Sequence, residues 1–149
     1  MNVNAQTRTV NVVCPCCHAT NGVPEDRLEE SPSCGACKRP LFEGRPVELA
    51  EADLERHLKV SGLPIVVDFW APWCGPSRAR VPMLERAARE LEPRVRFARV
   101  DTDEDQQLAM RFGIPGIPTI AIYRNGNEVA RISGVMDAAW FIAWVRANV

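Results

Sequence analysis

Five of the six cysteines lie in the first 46 residues, where four of them have the spacing of a metal site. Cys14 and Cys17 form one C-x2-C pair, Cys34 and Cys37 form a second, and 16 residues separate the pairs. This spacing is typical of a zinc ribbon, in which two turns direct four thiolates at one Zn²⁺. Because four sulfur ligands complete a tetrahedron, we expect a structural metal ion and not a catalytic one.

Two residues beside these pairs leave the ligand assignment open. Cys16 is only two positions from Cys14, so it creates a second possible register, although the i, i+3 spacing favours Cys14 and Cys17. His18 could replace a sulfur ligand, or it could be a solvated loop histidine. Free or oxidised thiols are the alternative for the whole set.

The sixth cysteine, Cys74, lies in the segment WAPWCGPS, between a β-branched and aromatic run and a helical stretch. We therefore expect it at the first turn of a helix, where unpaired N–H groups and the helix dipole favour a thiolate. Trp73 and Pro72 would form an apolar rim, Gly75 would let a partner chain approach, and Pro76 suits the first helical turn. This context favours a reactive thiol over a buried structural one.

The composition narrows the function classes. The chain has 149 residues, 18 Lys+Arg against 19 Asp+Glu, a net charge of −1 and 46% hydrophobic residues. These values argue against disorder and against general binding to nucleic acids or membrane surfaces. The first residues, MNVNAQTRTVNVV, do not have the basic and apolar regions of a secretory signal, so we expect a cytoplasmic protein. Thiols stay reduced in that compartment, so structural disulfides are not expected.

The elements that must position these cysteines fall into two predicted domains, 1–46 and 47–149. The first has too few apolar residues to close a core without a metal. The second alternates strand and helix signals in the order βαβαβαββα, which predicts a central mixed sheet flanked by helices. Strands are predicted at 46–49, 64–70, 95–101, 119–124 and 128–133. Helices are predicted at 51–59, from the Cys74 turn to about 91 with a kink at Pro82, at 103–112, and after Asp137.

Two segments of the second domain resemble the thioredoxin family. VVDFWAPWCGPS is similar to its active-site segment, and GIPGIPT at 113–119 is similar to the segment before its cis-proline. The resemblance runs from about 47 to 149, and the preceding segment looks like the zinc-binding extension of bacterial thioredoxin-2 proteins. It implies an α/β thioredoxin fold preceded by a small zinc ribbon, and a protein disulfide oxidoreductase acting through Cys74.

The resemblance also implies partners and cofactors. Disulfide-containing client proteins and thioredoxin reductase, with NADPH as the electron source, are the expected partners. Zn²⁺ is the expected metal, no bound organic cofactor is expected, and we expect a monomer that binds neither nucleic acid nor membrane.

One departure from the family pattern concerns the reaction. The family has CGPC, whereas this chain has Ser77 at the position of the resolving cysteine. A serine hydroxyl cannot complete thiol–disulfide exchange, so we expect the chain to stop at a mixed disulfide. Ser77 is either an engineered trap or the mark of a natural monothiol isomerase or client-binding module. Its hydroxyl could bond to the Cys74 thiolate, and Cys16 could in principle resolve the mixed disulfide.

Charged residues near Cys74 are assigned partly by resemblance. Asp68 lies in an apolar strand, so burial should raise its pKa, and it matches the family's buried proton-accepting aspartate. It could instead pair with a base, and Arg99 matches a family lysine near that aspartate. Arg78 and Arg80 could attract acidic clients or could be solvated helix charges.

The client groove is assigned by resemblance alone. Pro118 matches the cis-proline that leaves the preceding backbone free to pair with an extended substrate. The expected substrate-binding residues are Trp73, Gly75, Pro76, Gly116, Ile117 and Gly134.

Overall fold

The computed structural model describes residues 8–104, 106–134 and 136–149. Residues 1–7 of the predicted ribbon domain and Asp105 of the predicted helix 103–112 lie outside the described residues. The strands are β1 (Thr9–Val13), β2 (Thr20–Pro24), β3 (Val47–Glu48), β4 (Ile65–Trp70), β5 (Arg96–Asp101), β6 (Thr119–Arg124) and β7 (Asn127–Ser133). The α-helices are α1 (Glu51–Val60), α2 (Gly75–Ala79), α3 (Val81–Leu91), α4 (Gln106–Arg111) and α5 (Ala138–Asn148), and a 3-10 helix covers Glu25–Glu30.

The predicted mixed sheet is present, with strand order β3-β5-β4-β6-β7. Strand β4 lies at its centre because IVVDFW is apolar enough to be buried on both faces. It pairs parallel to β5 and antiparallel to β6. The pairing of Phe69 with Thr119 places the end of β4 beside the start of β6. The Cys74 turn, which follows β4, and Pro118, which precedes β6, therefore lie at the same end of the sheet.

The predicted hairpin between β6 and β7 is also present. Asn125 and Gly126 both have positive φ, 52° and 82°, as a tight two-residue turn requires. The side chain of Asp137 accepts a hydrogen bond from the N–H of Trp140 at 2.8 Å, which confirms the predicted cap of α5. The structure places α2 and α3 on either side of Arg80, with Pro82 in the first turn of α3. The predicted kinked helix is thus two helices.

The N-terminal segment forms the antiparallel pair β1–β2 and packs around its own small apolar cluster. Leu63, which lies beyond the predicted boundary at residue 46, is buried in that cluster. The N–H of Gly62 donates to the carbonyl of Asn11 at 2.8 Å. Arg96, at the start of β5, donates to the carbonyls of Val13 and Leu41 at 3.2 and 2.8 Å.

These contacts place the ribbon at the end of the sheet where β4 and β5 begin. The Cys74 turn follows the other end of β4. A six-residue strand is about 17 Å long, so the length of β4 separates the four ribbon cysteines from Cys74. No helix among the described residues is long and apolar enough to span a bilayer.

Candidate active site and metal centre

Cys74 begins a stripe of buried residues that runs along α2 and α3. Its position is the N-cap of α2, and its carbonyl accepts the N–H of Arg78 at 3.2 Å. The thiol is free and the residue is only 8% exposed. At helical spacing from Cys74, the same side also buries Ser77, Arg80, Leu84, Ala87, Ala88 and Leu91. The part of this stripe in α3 packs against the sheet.

Ser77 is the residue expected, by resemblance, at the position of the family's second cysteine. It is completely buried, and its hydroxyl has no hydrogen-bond partner among the described residues. The expected bond between this hydroxyl and the Cys74 sulfur is therefore not formed. The small polar side chain of Ser77 therefore does not fix the position of Cys74 by a hydrogen bond.

Asp68 lies beneath this turn, fully buried in β4 as predicted. Its Oδ1 accepts from Arg80 Nη1 at 3.0 Å, and its Oδ2 accepts from Arg99 Nε at 3.1 Å. Burial raises the pKa of Asp68, whereas both arginines act to lower it. Both sequence-based alternatives are thus realised, since the aspartate is buried and is also paired with bases.

Arg80 differs most from its sequence-based interpretation. It was expected to be a solvated charge or a site for acidic clients, yet its side chain is 0% exposed. A signal for this was present in the sequence, because Arg80 precedes Leu84 by four residues and Ala87 by seven. That spacing puts it on the buried side of the helix. Arg78 is exposed and donates weakly to the carbonyl of Pro72 at 3.5 Å.

The residues expected to bind clients differ in exposure and backbone conformation. The Ile117–Pro118 peptide bond is cis, as the resemblance implied. Trp73 is 67% exposed, and its indole N–H donates to Asp103 at 3.0 Å. Cβ atoms built on Gly75, Gly116 and Gly134 would meet nothing within 4 Å. The surface near Cys74 therefore combines an exposed aromatic ring with backbone open to solvent.

The four-thiol cluster is assembled from two equivalent turns. In each pair the first sulfur accepts a backbone N–H two residues later, from Cys16 and Ala36 respectively, both at 3.3 Å. The residues after the pairs, His18 and Lys38, have positive φ. Their N–H groups donate to the backbone carbonyl of the first cysteine of each pair. This repetition favours the register Cys14/Cys17 over one that uses Cys16.

The cluster has the dimensions of a tetrahedral zinc site. The sulfurs of Cys14, Cys17, Cys34 and Cys37 all lie within 4.8 Å of one another. The Cys14–Cys37 and Cys17–Cys34 sulfur pairs are both 3.6 Å apart. Zn–S bonds of about 2.3 Å in a tetrahedron separate the sulfurs by about 3.8 Å. The four residues fit Zn²⁺.

The contacts within the cluster favour ionisation of one thiol and oppose ionisation of another. The N–H of Cys37, and then the side-chain amide of Asn21, lower the pKa of Cys34 to about 6. The pKa of Cys17 is raised to about 11: the N–H of Ala19 lowers it, but burial and the neighbouring thiols outweigh that bond. A bound cation removes this conflict because it stabilises all four thiolates together.

Cys16 and His18 lie outside the four-sulfur cluster. Cys16 is exposed and stands at the ribbon end of the sheet, away from Cys74, so the geometry does not support its use as a resolving thiol. His18 Nδ1 lies 3.2 Å from His57 Nε2, and its Nε2 lies 3.5 Å from Asp53. The side chain of His18 therefore joins the ribbon to α1.

Comparison with known proteins identifies both parts of the chain. Residues 45–147 match the thioredoxin family model. The chain belongs to the thioredoxin family. Residues 13–39 match the N-terminal zinc ribbon of thioredoxin 2, which supports zinc binding by the four cysteines.

Individual relatives agree with this assignment. Thioredoxin C-3 of Corynebacterium nephridii is 37% identical over 134 residues, covering 90% of this chain and 92% of the relative. A thioredoxin of Rhodospirillum rubrum is 35% identical over 102 residues, covering 68% and 98%. The structure of a mutant thioredoxin from Halobacterium salinarum NRC-1 superposes with a TM-score of 0.64 at 25% identity, covering 72% and 93%. Family membership supports thiol–disulfide oxidoreductase chemistry.

Proposed function

We propose that this thioredoxin captures disulfide-containing client proteins through Cys74 alone and that it is of the thioredoxin 2 type. The observation that carries the proposal is the position of Cys74. Cys74 is the N-cap of α2, at the end of the sheet where the cis Ile117–Pro118 bond also lies. Residue 77 is a serine. By resemblance Cys74 would be the family's nucleophile, and Ser77 stands where the family motif has its second sulfur.

The capture step balances without an external oxidant. The Cys74 thiolate attacks one sulfur of the client disulfide, forms the Cys74–client disulfide and releases the second client sulfur as a thiolate, which takes a proton from water. Pro118, Ile117 and Gly116 would present backbone to the extended client, and Trp73 would cover its apolar side chains. The open space above Gly75, Gly116 and Gly134 supports this arrangement, since client backbone could approach there closely.

Release of the client requires a thiol from outside the active-site turn. Ser77 cannot attack the mixed disulfide, and Cys16 lies at the opposite end of the sheet. A client thiol or a small thiol compound must therefore regenerate Cys74. Attack by the client thiol that was released restores the original disulfide, attack by a different client thiol gives disulfide isomerisation, and no attack leaves the client stably bound.

A reductase in which the second cysteine has been replaced by design is the other account of Ser77. The intact motif around it supports that account. A natural monothiol protein would instead retain its client or isomerise the client's disulfides through Cys74 alone. Thioredoxin reductase would act on an internal disulfide, so we expect only the Ser77→Cys form to be its substrate.

The zinc ribbon has a structural part in this proposal. Cys14, Cys17, Cys34 and Cys37 would hold one Zn²⁺ with no open coordination position, and the metal would supply cross-linking of the two turns. No organic cofactor is needed for thiol exchange at Cys74. We place the protein in the cytoplasm, as a monomer, where the cysteines stay reduced.

An insulin assay tests the proposal. The protein as it stands should form a disulfide-linked adduct with insulin, visible by non-reducing electrophoresis and mass spectrometry, without catalytic turnover. Cys74→Ser should abolish the adduct, whereas Cys16→Ser should leave it unchanged. Catalytic reduction of insulin by the unmodified chain, or an adduct that persists in Cys74→Ser, contradicts the proposal.

The Ser77→Cys variant separates the two accounts of Ser77. Rapid turnover with thioredoxin reductase and NADPH supports a reductase that has lost one sulfur. Adduct formation without turnover in the same variant supports a monothiol protein.

A further inference from the structure

Arg80 joins three segments around the active-site turn through one buried side chain. Its Nη1 donates to Asp68 of β4 at 3.0 Å. Its Nη2 donates to the carbonyl of Pro118 at 3.2 Å and also to the carbonyl of Gly134. The arginine thus contacts the central strand, the loop before β6 and the loop after β7.

Those two loops carry Pro118 and Gly134, which the resemblance to the family assigns to the client groove. Pro118 follows the cis bond, and Gly134 has φ of +94°, a conformation that L side chains rarely adopt. A guanidinium is planar and holds its donors in a fixed fork, so it constrains both carbonyls relative to Asp68. Arg80 therefore holds the loop before β6 and the loop after β7 at a fixed position relative to each other.

Charge gives Arg80 a second effect. Arg80 and Arg99 are both buried against one buried carboxylate, Asp68, while Glu48 reaches Arg99 from the surface at 3.4 Å. The buried part of this cluster therefore carries one excess positive charge. Cys74 and Arg80 lie six residues apart on the same buried side of the stretch that contains α2 and α3.

The cation is suited to this position because it stays charged. Burial lowers the pKa of Arg80, but Asp68 and the Cys74 thiolate oppose that shift, and arginine remains protonated near neutral pH. Asp68, in turn, has both carboxylate oxygens engaged by arginines. It is held as a counter-ion and is less available to exchange a proton with residue 77.

We propose that Arg80 is a positioning residue for thiol exchange: it fixes the two loops of the client groove and provides the buried positive charge that stabilises the Cys74 thiolate. The inference rests on the proposed exchange function of Cys74. Arg80 would contribute to thiol exchange by its geometry and by its charge, and different substitutions should remove these two contributions separately.

Four proteins test this inference: the unmodified chain, Arg80→Met, Arg80→Lys and the control Arg78→Met. Arg78 is the matched control because it lies on the adjacent turn with the same charge but is exposed. Iodoacetamide labelling of Cys74 is followed by peptide mass spectrometry, which separates it from labelling of the exposed Cys16. Adduct formation with insulin is measured in parallel, and cooperative thermal unfolding establishes that each variant is folded.

The expected results differ for the two measurements. Arg80→Met should label about tenfold more slowly at neutral pH, with the whole profile moved to higher pH, because the thiolate loses a nearby cation. Arg80→Lys should keep a profile close to that of the unmodified chain yet form the insulin adduct several-fold more slowly, because it loses the fork geometry. Arg78→Met should change labelling less than about twofold, since exposed charges are screened.

The other charged groups facing the site are Asp68 on β4, Arg99 on β5 and Glu48 on β3. None of them is substituted in these variants, so a moved profile reports on Arg80 together with the Asp68 carboxylate that it pairs with. A folded Arg80→Met with an unchanged profile and an unchanged adduct rate overturns the inference. If Arg80→Met does not fold, an Arg80→Lys variant that matches the unmodified chain in adduct rate overturns it. Failure of the unmodified chain to form any adduct contradicts the proposed function instead.

Discussion

The two ends of the central sheet hold their sulfur atoms in different ways. At the end where β4 and β5 begin, four thiols lie within 4.8 Å of one another, and their mutual repulsion as thiolates calls for a metal cation. At the other end a single thiol, Cys74, stands above cations that belong to the protein, Arg80 and Arg99. One arrangement suits a permanent cross-link and the other suits a sulfur that must react and be released.

Both ends are nevertheless fixed by a buried arginine. Arg96 bonds the carbonyls of Val13 and Leu41 in the ribbon, and its nearest carboxylate oxygen, from Glu92, is 3.8 Å away. Arg80 bonds the carbonyls of Pro118 and Gly134 but contacts its carboxylate directly. The same residue type thus joins segments at both ends, and only the proximity of a reactive sulfur gives Arg80 a chemical role.

Removing one ribbon ligand should have the largest effect. Cys34→Ser should reduce bound zinc from about one ion per chain to nearly none, because structural zinc binding is worth about 10–16 kcal/mol and depends on the complete ligand set. Metal analysis after gel filtration measures this, with Cys16→Ser as the control that retains the metal. An unchanged zinc content in Cys34→Ser contradicts the four-thiol assignment, and the contrast between the two ends with it.

Breaking the buried ion cluster beneath Cys74 should have the next largest effect. Asp68→Asn should lower the free energy of unfolding by about 4 kcal/mol, because it leaves the fully buried Arg80 without a carboxylate. In an Arg80→Met background the same change should cost at least about 1 kcal/mol less. Denaturant unfolding of the two single variants and the double variant measures this coupling. Strict additivity would mean that the two residues do not interact energetically.

These effects also mark what the sequence could and could not predict. The sheet, its helices and the four-cysteine site follow from local patterns: apolar runs, the Asn125-Gly126 turn and two C-x2-C pairs. The burial of Arg80 was missed because its partners come from distant parts of the chain, 12 residues away at Asp68 and 54 away at Gly134. Helical spacing could have placed it on the buried side, but only the packed fold brings a carboxylate and two carbonyls to meet it.

The ribbon's attachment was missed for the same reason. The sequence predicts Arg96 only as part of a strand, and the carbonyls that it bonds lie 83 and 55 residues away. The cis Glu92–Pro93 bond has no sequence signal beyond the proline itself. Local pattern therefore predicts elements and cysteine turns, whereas the charged contacts between elements require the three-dimensional arrangement.

Substitution of Arg96 tests whether the two arginines differ in role. Arg96→Met should lower the free energy of unfolding by about 3 kcal/mol, because two buried carbonyls and Glu92 lose their partner. It should leave the pH profile of Cys74 labelling unchanged, unlike Arg80→Met. Arg94→Met is the control, since Arg94 forms an exposed pair with Glu29 and should cost less than about 1 kcal/mol. A moved Cys74 profile in Arg96→Met contradicts the assignment of separate roles.

The smallest expected effect concerns acid sensitivity at the ribbon end. Burial, followed by the charges of Arg96, His18 and Arg56, lowers the pKa of His57 from 6.5 to about 3. The unfolded chain therefore binds a proton more readily than the folded chain between these two values. The stability that neutral His57 contributes is fully present above its unfolded pKa and decreases as the pH falls toward the folded value.

The size of this effect follows from the two pKa values of His57, 6.5 and about 3. The folded chain should lose about 2 kcal/mol of stability between about pH 7 and about pH 5. Denaturant unfolding at a series of pH values, with zinc in excess, gives the free energy of unfolding as a function of pH. His57→Leu should remove about 2 kcal/mol of its decrease between about pH 7 and about pH 5. The ribbon cysteines and Asp53 beside His18 are the same in both proteins, so only the difference between the two curves reports on His57. Equal slopes would show that acid acts at the ribbon end through the metal site alone, and His57 would then have no part in the difference between the two ends.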